Sequence, residues 1–312
     1  MNKIKRILIL GGFGFIGSNI MKYIDDNLSN SYKVIVFDKL DHHPFKLNFN
    51  CIEKVYSGNF SETKCLEPIF EENEIDLVFH LISTTVPSNS SNIKYDIESN
   101  LVSTIDFLNL MIKSKVKDIV YLSSGGAIYG NSKKIKNELS FNSPMSSYGI
   151  IKLTIEKYLM MFSGQGLINP LILRLSNPYG PYHYSLKQGV LNVALRAAFE
   201  QKDFAVWGDG ENTKDYIYVA DFSEIVFKLL NLKINNQIIN VGSGNLLSTN
   251  KILSHIKKIY SKFSWKNIKI KNNDVQNFEL ELTKLKDLIG DYSFTSIEEG
   301  VNKTNEWITK SR

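Results

Sequence analysis

Tyr148 and Lys152 are separated as Y-x-x-x-K at the start of Ser147–Ser163, a segment whose pattern predicts a helix, so their side chains share one face a turn apart. That pairing suits proton transfer. A tyrosine hydroxyl with an ordinary pKa of about 10 is a poor base at neutral pH, and a neighbouring ammonium favours the phenolate. Alone, Y-x-x-x-K is in most instances a solvated helical pair. Upstream, however, the strand-like run Ile119–Leu122 ends in Ser123-Ser124-Gly125-Gly126-Ala127-Ile128-Tyr129-Gly130. This puts hydroxyls at the carboxyl end of a parallel strand, where ligands bind in an open α/β sheet and where a hydroxyl can hydrogen-bond a reacting oxygen.

A second group of residues suits an anion. The apolar run Ile7–Leu10 leads into Gly11-Gly12-Phe13-Gly14-Phe15-Ile16-Gly17 and then the helix-like Ser18–Asp26. Gly11, Gly14 and Gly17 fit one spacing of a dinucleotide-binding turn; Gly12, Gly14 and Gly17 fit the other. Glycine permits the tight turn, lets backbone N–H groups approach a pyrophosphate, and lets the helix pack on the strand with its N-terminus facing the anion. Asp38 stands at the end of the second strand, about 20 residues on, where an acid that binds the adenosine ribose belongs. It would repel a 2′-phosphate and favour NAD over NADP, although adjacent Lys39 works against that discrimination. Gly11, Gly14, Phe15, Ile16, Gly17 and Asp38 are the expected cofactor contacts, and Lys152 is placed to hold the nicotinamide ribose.

The elements that must position these groups alternate. Ile7–Leu10, Val34–Phe37, Leu77–His80, Ile119–Leu122 and Leu171–Leu175 read as buried strands; Ser18–Asp26, Glu62–Glu72, Asn100–Ser114 and Ser147–Ser163 read as helices between them. That rhythm predicts an α/β fold, a Rossmann-like doubly wound parallel sheet. After Pro178 the punctuation changes to a loop-rich stretch, Asn177 to Gly189, and then a Gly189–Glu200 helix. The expectation is an NAD-binding domain over 1–176 and a smaller C-terminal α+β substrate domain over 177–312, with segments crossing between them.

Composition bounds the rest. With 312 residues, 43% of them hydrophobic, the chain can bury a sizeable core. No run of about 18 apolar residues appears, and Met1–Leu10 is a charged hexapeptide entering a strand rather than a leader, so no membrane partner and a cytoplasmic location are expected. Cys51 and Cys65 lie outside any metal-ligand spacing, so no metal site is expected. The net charge of +5 comes from scattered lysines rather than a basic stripe interleaved with aromatics, which argues against a nucleic-acid partner.

The glycine loop, Asp38, Asp76–His80 followed by Leu81, Asn100–Thr104, Ser123–Gly130, Tyr148 with Lys152, and Arg174–Pro181 occur in one order. Gly208-Asp209-Gly210, Lys214–Val219 and Asn240–Gly244 follow. In that set the chain resembles an extended short-chain dehydrogenase/reductase, specifically an NAD-dependent nucleotide-sugar epimerase of the UDP-glucose 4-epimerase type, over nearly its full length. The resemblance implies that Asn59 and Phe60 flank the adenine, Leu81 and Ile82 line the cofactor channel, and Asn100 and Ser123 lie near the cofactor. It implies that Asn177 meets the substrate's diphosphate or sugar, and that Lys214 and Lys271 neutralise its phosphates. Ordinary packing and solvated lysines are the alternatives. The family's hydroxyl position holds Gly125 here, which leaves Ser124 or Ser123 as the nearest hydroxyl; Ser124 is preferred. The two phosphate positions, commonly arginine, are lysines, which keep charge and give up bidentate geometry. The family also implies a homodimer through two long helices, and a place in carbohydrate metabolism such as polysaccharide biosynthesis.

Three reactions share such a site: 4-epimerisation through a transient 4-keto sugar, 4,6-dehydration, and net oxidation or reduction at one carbon. The dehydratase pattern carries an Asp-Glu pair after the hydroxyl, where this chain has Gly126 and Ala127, so dehydration is disfavoured. The expectation is a C4 epimerase with Tyr148 as acid/base, a net 4-dehydrogenase or 4-keto reductase being the alternative. A non-catalytic NAD-binding protein would have no need of Tyr148 and Lys152 together. Phe278 corresponds to a position whose bulk limits the space beside the sugar, which leans toward an unsubstituted hexose, and a UDP carrier follows from the family alone. Core packing is an equal reading of Phe278.

Overall fold

The computed structural model describes residues 3–45, 47–85, 92–131, 134–186, 188–269 and 279–311. The first half runs β1 (Lys5–Leu10), α1 (Phe15–Asn27), β2 (Tyr32–Asp38), β3 (Ile52–Ser57), α2 (Glu67–Glu72), β4 (Leu77–His80), α3 (Ile93–Asp96), α4 (Ser103–Lys113), β5 (Asp118–Ser124), α5 (Gly125–Tyr129) and α6 (Ser147–Gly164). The second runs β6 (Asn169–Leu175), β7 (Asn177–Tyr179), α7 (Val190–Phe199), β8 (Phe204–Trp207), β9 (Thr213–Tyr218), α8 (Val219–Asn231), β10 (Gln237–Val241), β11 (Leu246–Ser248), α9 (Thr249–Ile259), β12 (Trp265–Ile268), α10 (Thr283–Ile289) and α11 (Ile297–Lys310).

Seven strands form one parallel sheet in the order β10-β6-β5-β4-β1-β2-β3. The chain order reverses between β1 and β4, which opens a crevice at their carboxyl ends. The period of two along each strand explains why helices cover both faces. Ile7 and Ile9 join Ile20 and Ile24 of α1 with Phe222, Ile225 and Val226 of α8 on one side. Leu8 and Leu10 join Phe107 and Met111 of α4 with Ile151, Ile155 and Leu159 of α6 on the other. A Rossmann-like doubly wound sheet is thus the observed architecture. Around it, β11-β9-β7 and β12-β8 make two small sheets, packed with α7, α9 and α11 about a separate core that includes Leu191, Ala194, Ile252 and Val301.

Two expected helices differ in detail. Glu62–Glu72 splits into a 3-10 turn, Thr63–Cys65, and α2, because Pro68 in the first turn of α2 lacks the N–H that one continuous helix needs. The start of Asn100–Ser114 is a π-helical stretch, Ile97–Val102, running into α4, a local widening often found at functional sites. The edge strand β3 has mostly half-exposed residues, so it gave no apolar run in the sequence.

Candidate active site

At the crevice, the Gly11 N–H donates to the Phe37 carbonyl at 2.8 Å, and the chain turns through φ +80° at Gly11, a conformation that favours glycine. A Cβ on Gly17 would stand 2.5 Å from the Gly12 carbonyl oxygen, so only glycine lets α1 sit this close to β1. Gly14 caps α1 without a side-chain hydrogen bond, and Gly14, Phe15, Ile16 and Gly17 line the cleft at the helix's N-terminus. Asp38, buried at the end of β2, accepts from the Phe13 N–H at 3.0 Å and the Leu40 N–H at 3.3 Å. Burial pushes its carboxyl above the usual range, against the pull of those amides and Lys39. A carboxylate has about four acceptor sites, so acceptor capacity remains for a ribose hydroxyl. These residues fit a dinucleotide: an amide-lined helix start for the pyrophosphate and a fixed acceptor for the ribose.

Across the cleft, β5 ends at Ser124, which caps α5 by accepting from the Ala127 N–H at 3.4 Å. Ser146 caps α6, so Tyr148 falls in its first turn and Lys152 one turn further. Tyr148 hydrogen-bonds Ser124; burial pushes its hydroxyl up to about 12, against the pull of that bond. The Lys152 ammonium donates to the Leu122 carbonyl at 2.8 Å and lies 4.8 Å from the centre of the Tyr121 ring and 5.8 Å from that of Tyr148. Burial pushes Lys152 down to about 8, and the Glu156 carboxylate holds it up. In this state the phenol is therefore protonated and the lysine charged at neutral pH. The serines divide: the buried Ser123 hydroxyl donates to Glu156 Oε1 at 2.6 Å, which leaves Ser124 as Tyr148's partner.

Glu156 belongs to a buried network that the sequence did not reveal. Arg174 in β6 donates from Nε to Glu156 Oε1 at 3.0 Å and from a terminal nitrogen to Oε2 at 2.6 Å, and its other terminal nitrogen donates to the Tyr129 hydroxyl at 2.8 Å. Tyr129 donates to Asn240 Oδ1 at 2.8 Å. The chain of contacts ties α6, β5, β6, α5 and β10 together directly beneath Ser124 and Lys152. A signal existed: an arginine within the apolar run Leu171–Leu175 needs a buried partner, and Glu156 lies one turn beyond Lys152.

The remaining expected residues fall in three groups. Leu81, Asn177 and Lys214 line the same cleft as the glycine loop and Tyr148; Asn177 also donates to the Asp215 carbonyl at 2.9 Å. Ile82 packs under Gly11, and Asn100 grips the loop after β4, accepting from the Thr84 N–H at 2.8 Å and donating to Thr84 Oγ1 at 2.6 Å. Phe60 lies buried against Phe37, His80 and Phe107, while Asn59 is exposed and accepts from the Ser61 N–H. Lys271 and Phe278 lie outside the described residues. Asp215, beside Lys214, also emerges: its buried carboxylate accepts from Ser243 N–H and Oγ at 3.0 and 2.9 Å, closing the Gly242–Gly244 turn.

Together these walls enclose a cleft of about 750 Å³, within the range of a site for a dinucleotide's reactive end and a second ligand. Among the described residues no cluster of metal-ligating side chains occurs, and no helix is long and apolar enough to cross a membrane.

Fold and cleft define a dinucleotide-dependent enzyme of the doubly wound α/β class. The NAD dependent epimerase/dehydratase family matches residues 7–242, and the chain belongs to that family. It is 30% identical over 307 residues, 97% of this chain and 98% of the relative, to a putative UDP-glucose 4-epimerase of Methanocaldococcus jannaschii. A dTDP-D-glucose 4,6-dehydratase of Dictyostelium discoideum is 31% identical over 77% of this chain and 58% of its own length. The crystal structure of a UDP-glucose 4-epimerase with UDP-glucose from Thermotoga maritima superposes with a TM-score of 0.88 at 29% identity, over 98% of this chain and 99% of that one. The chain is thus an enzyme, and NAD is its cofactor.

Proposed function

We propose that the chain is an epimerase acting at C4 of a nucleoside-diphosphate sugar, with UDP the favoured carrier, through a transient 4-keto intermediate. The observation that carries this reading is the convergence of Ser124, Tyr148 and Lys152 on the cleft that holds the glycine loop, with Gly126 and Ala127 adding no further acid or base. Bound NAD supplies the acceptor and donor of hydride at the sugar carbon.

The chain's own residues handle the proton and the charge. In its reactive form Tyr148 is a phenolate stabilised by the Lys152 ammonium; it takes the C4 hydroxyl proton and becomes the phenol, while Ser124 hydrogen-bonds the reacting oxygen. Tyr148 then returns the proton. Asn177 and Lys214, which line the same cleft, suit the diphosphate; by sequence Lys271 adds a phosphate contact and Phe278 limits the space beside the sugar. With lysines in place of arginines the diphosphate is held by charge rather than by a two-pronged fork.

The same reading makes the enzyme a cytoplasmic homodimer. Its support is apolar exposure at the start of α4 and along α6: Val102, Ile150, Tyr158 and Met161 are each exposed. Light scattering should give twice the chain mass; a monomer at micromolar concentration would refute the dimer.

The activity is tested by incubating purified protein, without added NAD, with UDP-glucose and UDP-galactose separately. Interconversion is expected. If neither sugar changes while external NAD or NADH supports net redox, the 4-dehydrogenase or 4-keto reductase reading replaces it.

A further inference from the structure

Loop 181–185, which follows β7, crosses to the cofactor side of the cleft. Its anchors come from several elements. The Pro181 carbonyl accepts from Asn19 Nδ2 of α1 at 3.0 Å, and the His183 carbonyl accepts from Arg196 of α7 at 3.0 Å. The His183 ring stands edge-on to Phe15 at 4.9 Å. Tyr182 holds φ +64°, a left-handed conformation that a bulky residue adopts only where its surroundings enforce it. Those surroundings are aromatic: Tyr182 packs on His43, Phe49 and Trp307, with ring centres 5.6 to 6.0 Å away.

The box reaches back to the glycine loop through defined hydrogen bonds. His43 Nδ1 accepts from the Phe45 N–H at 3.1 Å, so its proton resides on Nε2, which donates to Ser18 Oγ at 2.9 Å. Ser18 in turn donates to the Gly14 carbonyl at 2.7 Å. Phe45 packs on Trp307 at 4.9 Å and on Tyr184 at 6.2 Å. One connected network therefore joins the segment after Asp38, the start of α1 and loop 181–185. Tyr184 is its exposed end: it lines the cleft with Gly11, Gly14 and Gly17, yet 42% of its surface remains open. Burial pushes the Tyr184 hydroxyl up, and the Asp38 carboxylate adds to that shift.

We propose that Tyr184 is a cofactor-binding residue, whose ring closes over the adenosine ribose of NAD held by Asp38 and retains the dinucleotide between turnovers. The inference rests on the assignment of Asp38 to the ribose. An aromatic face over a sugar buries apolar surface of both without asking for a charge, and the box behind Tyr184 removes the cost of ordering the loop on binding. A 4-epimerase that returns its hydride needs this retention, because the cofactor must outlast the keto intermediate.

The test is NAD release, not turnover. Purified protein is loaded with radiolabelled NAD, chased with excess unlabelled NAD, and the bound label followed, alongside the NAD content of protein as isolated. Tyr184→Ala should release NAD about tenfold faster, the change that about 1.4 kcal/mol of lost contact produces. Tyr184→Phe, which keeps the ring, should hold it as the parent does. Tyr95→Ala, an exposed tyrosine on α3 outside the cleft, controls for general effects of removing a ring. Unchanged release from Tyr184→Ala, or equal loss from Tyr95→Ala, would overturn the proposal. Asp38→Ala separates the two assignments: unchanged release there overturns the ribose site itself, whereas faster release there with Tyr184→Ala unchanged overturns Tyr184 alone.

Discussion

Glu156 Oε1 accepts the Ser123 hydroxyl at 2.6 Å while the same carboxylate is paired with Arg174, so the residue before Ser124, the proposed catalytic serine, is fixed by a buried ion pair. Neither charged side chain reaches solvent, with exposures of 1% for Arg174 and 0% for Glu156. Breaking such a pair strands a charge. Arg174→Met should destabilise the fold by about 3–5 kcal/mol, measured as a lower urea midpoint. An unchanged midpoint would show that the network is replaceable.

Glu156 also holds up the Lys152 pKa against burial. Glu156→Gln should therefore move the alkaline fall in activity to lower pH, since the ammonium is lost earlier. A pH–rate profile compared with the parent, whose lysine sits at about 8, checks the direction.

Tyr148→Phe should lower turnover by a factor on the order of 10² to 10⁴ and leave the NAD content of the purified protein unchanged. In the proposed mechanism the hydroxyl carries the proton, whereas the ring and Lys152 remain in the variant. Retained activity would remove Tyr148 as the acid/base.

Asp38→Ala should weaken NAD by about 10- to 100-fold, the loss of hydrogen bonds to a charged group, and narrow the preference over NADP. Titration of cofactor-free protein with each dinucleotide measures both effects.

Acid should destabilise the fold from three buried histidines. Burial holds His43, His80 and His183 at about 4, 3 and 4, below the ordinary 6.5. Between those values and 6.5 the unfolded chain takes up protons that the folded one refuses. Stability is therefore full above about pH 6.5 and falls as pH drops through the window, by up to about 1.4 kcal/mol per pH unit for each histidine. Melting temperatures at pH 8 and pH 5 test this; equal values would contradict it.

The parts legible in the sequence were those with a local pattern. Continuous apolar runs such as Ile7–Leu10 report a sheet covered on both faces, and the glycine spacing reports the turn that follows. The choice between Ser123 and Ser124 was open until Glu156, far along the chain, was seen to engage Ser123. Tyr184 carried no signal because its meaning lies in contacts with Phe45 and nearness to Asp38, residues that the chain brings near only on folding. The edge strand β3, half-exposed, lacks the hydrophobic run by which its neighbours were found.

The central claim is that C4 is oxidised and re-reduced within one active site. The most direct test is conversion of UDP-glucose deuterated at C4, with the position of deuterium in the product read by mass spectrometry and NMR. The account predicts UDP-galactose that retains deuterium at C4, with no loss to added unlabelled NADH or to solvent. Product carrying protium at C4, or no product without external dinucleotide, would contradict it.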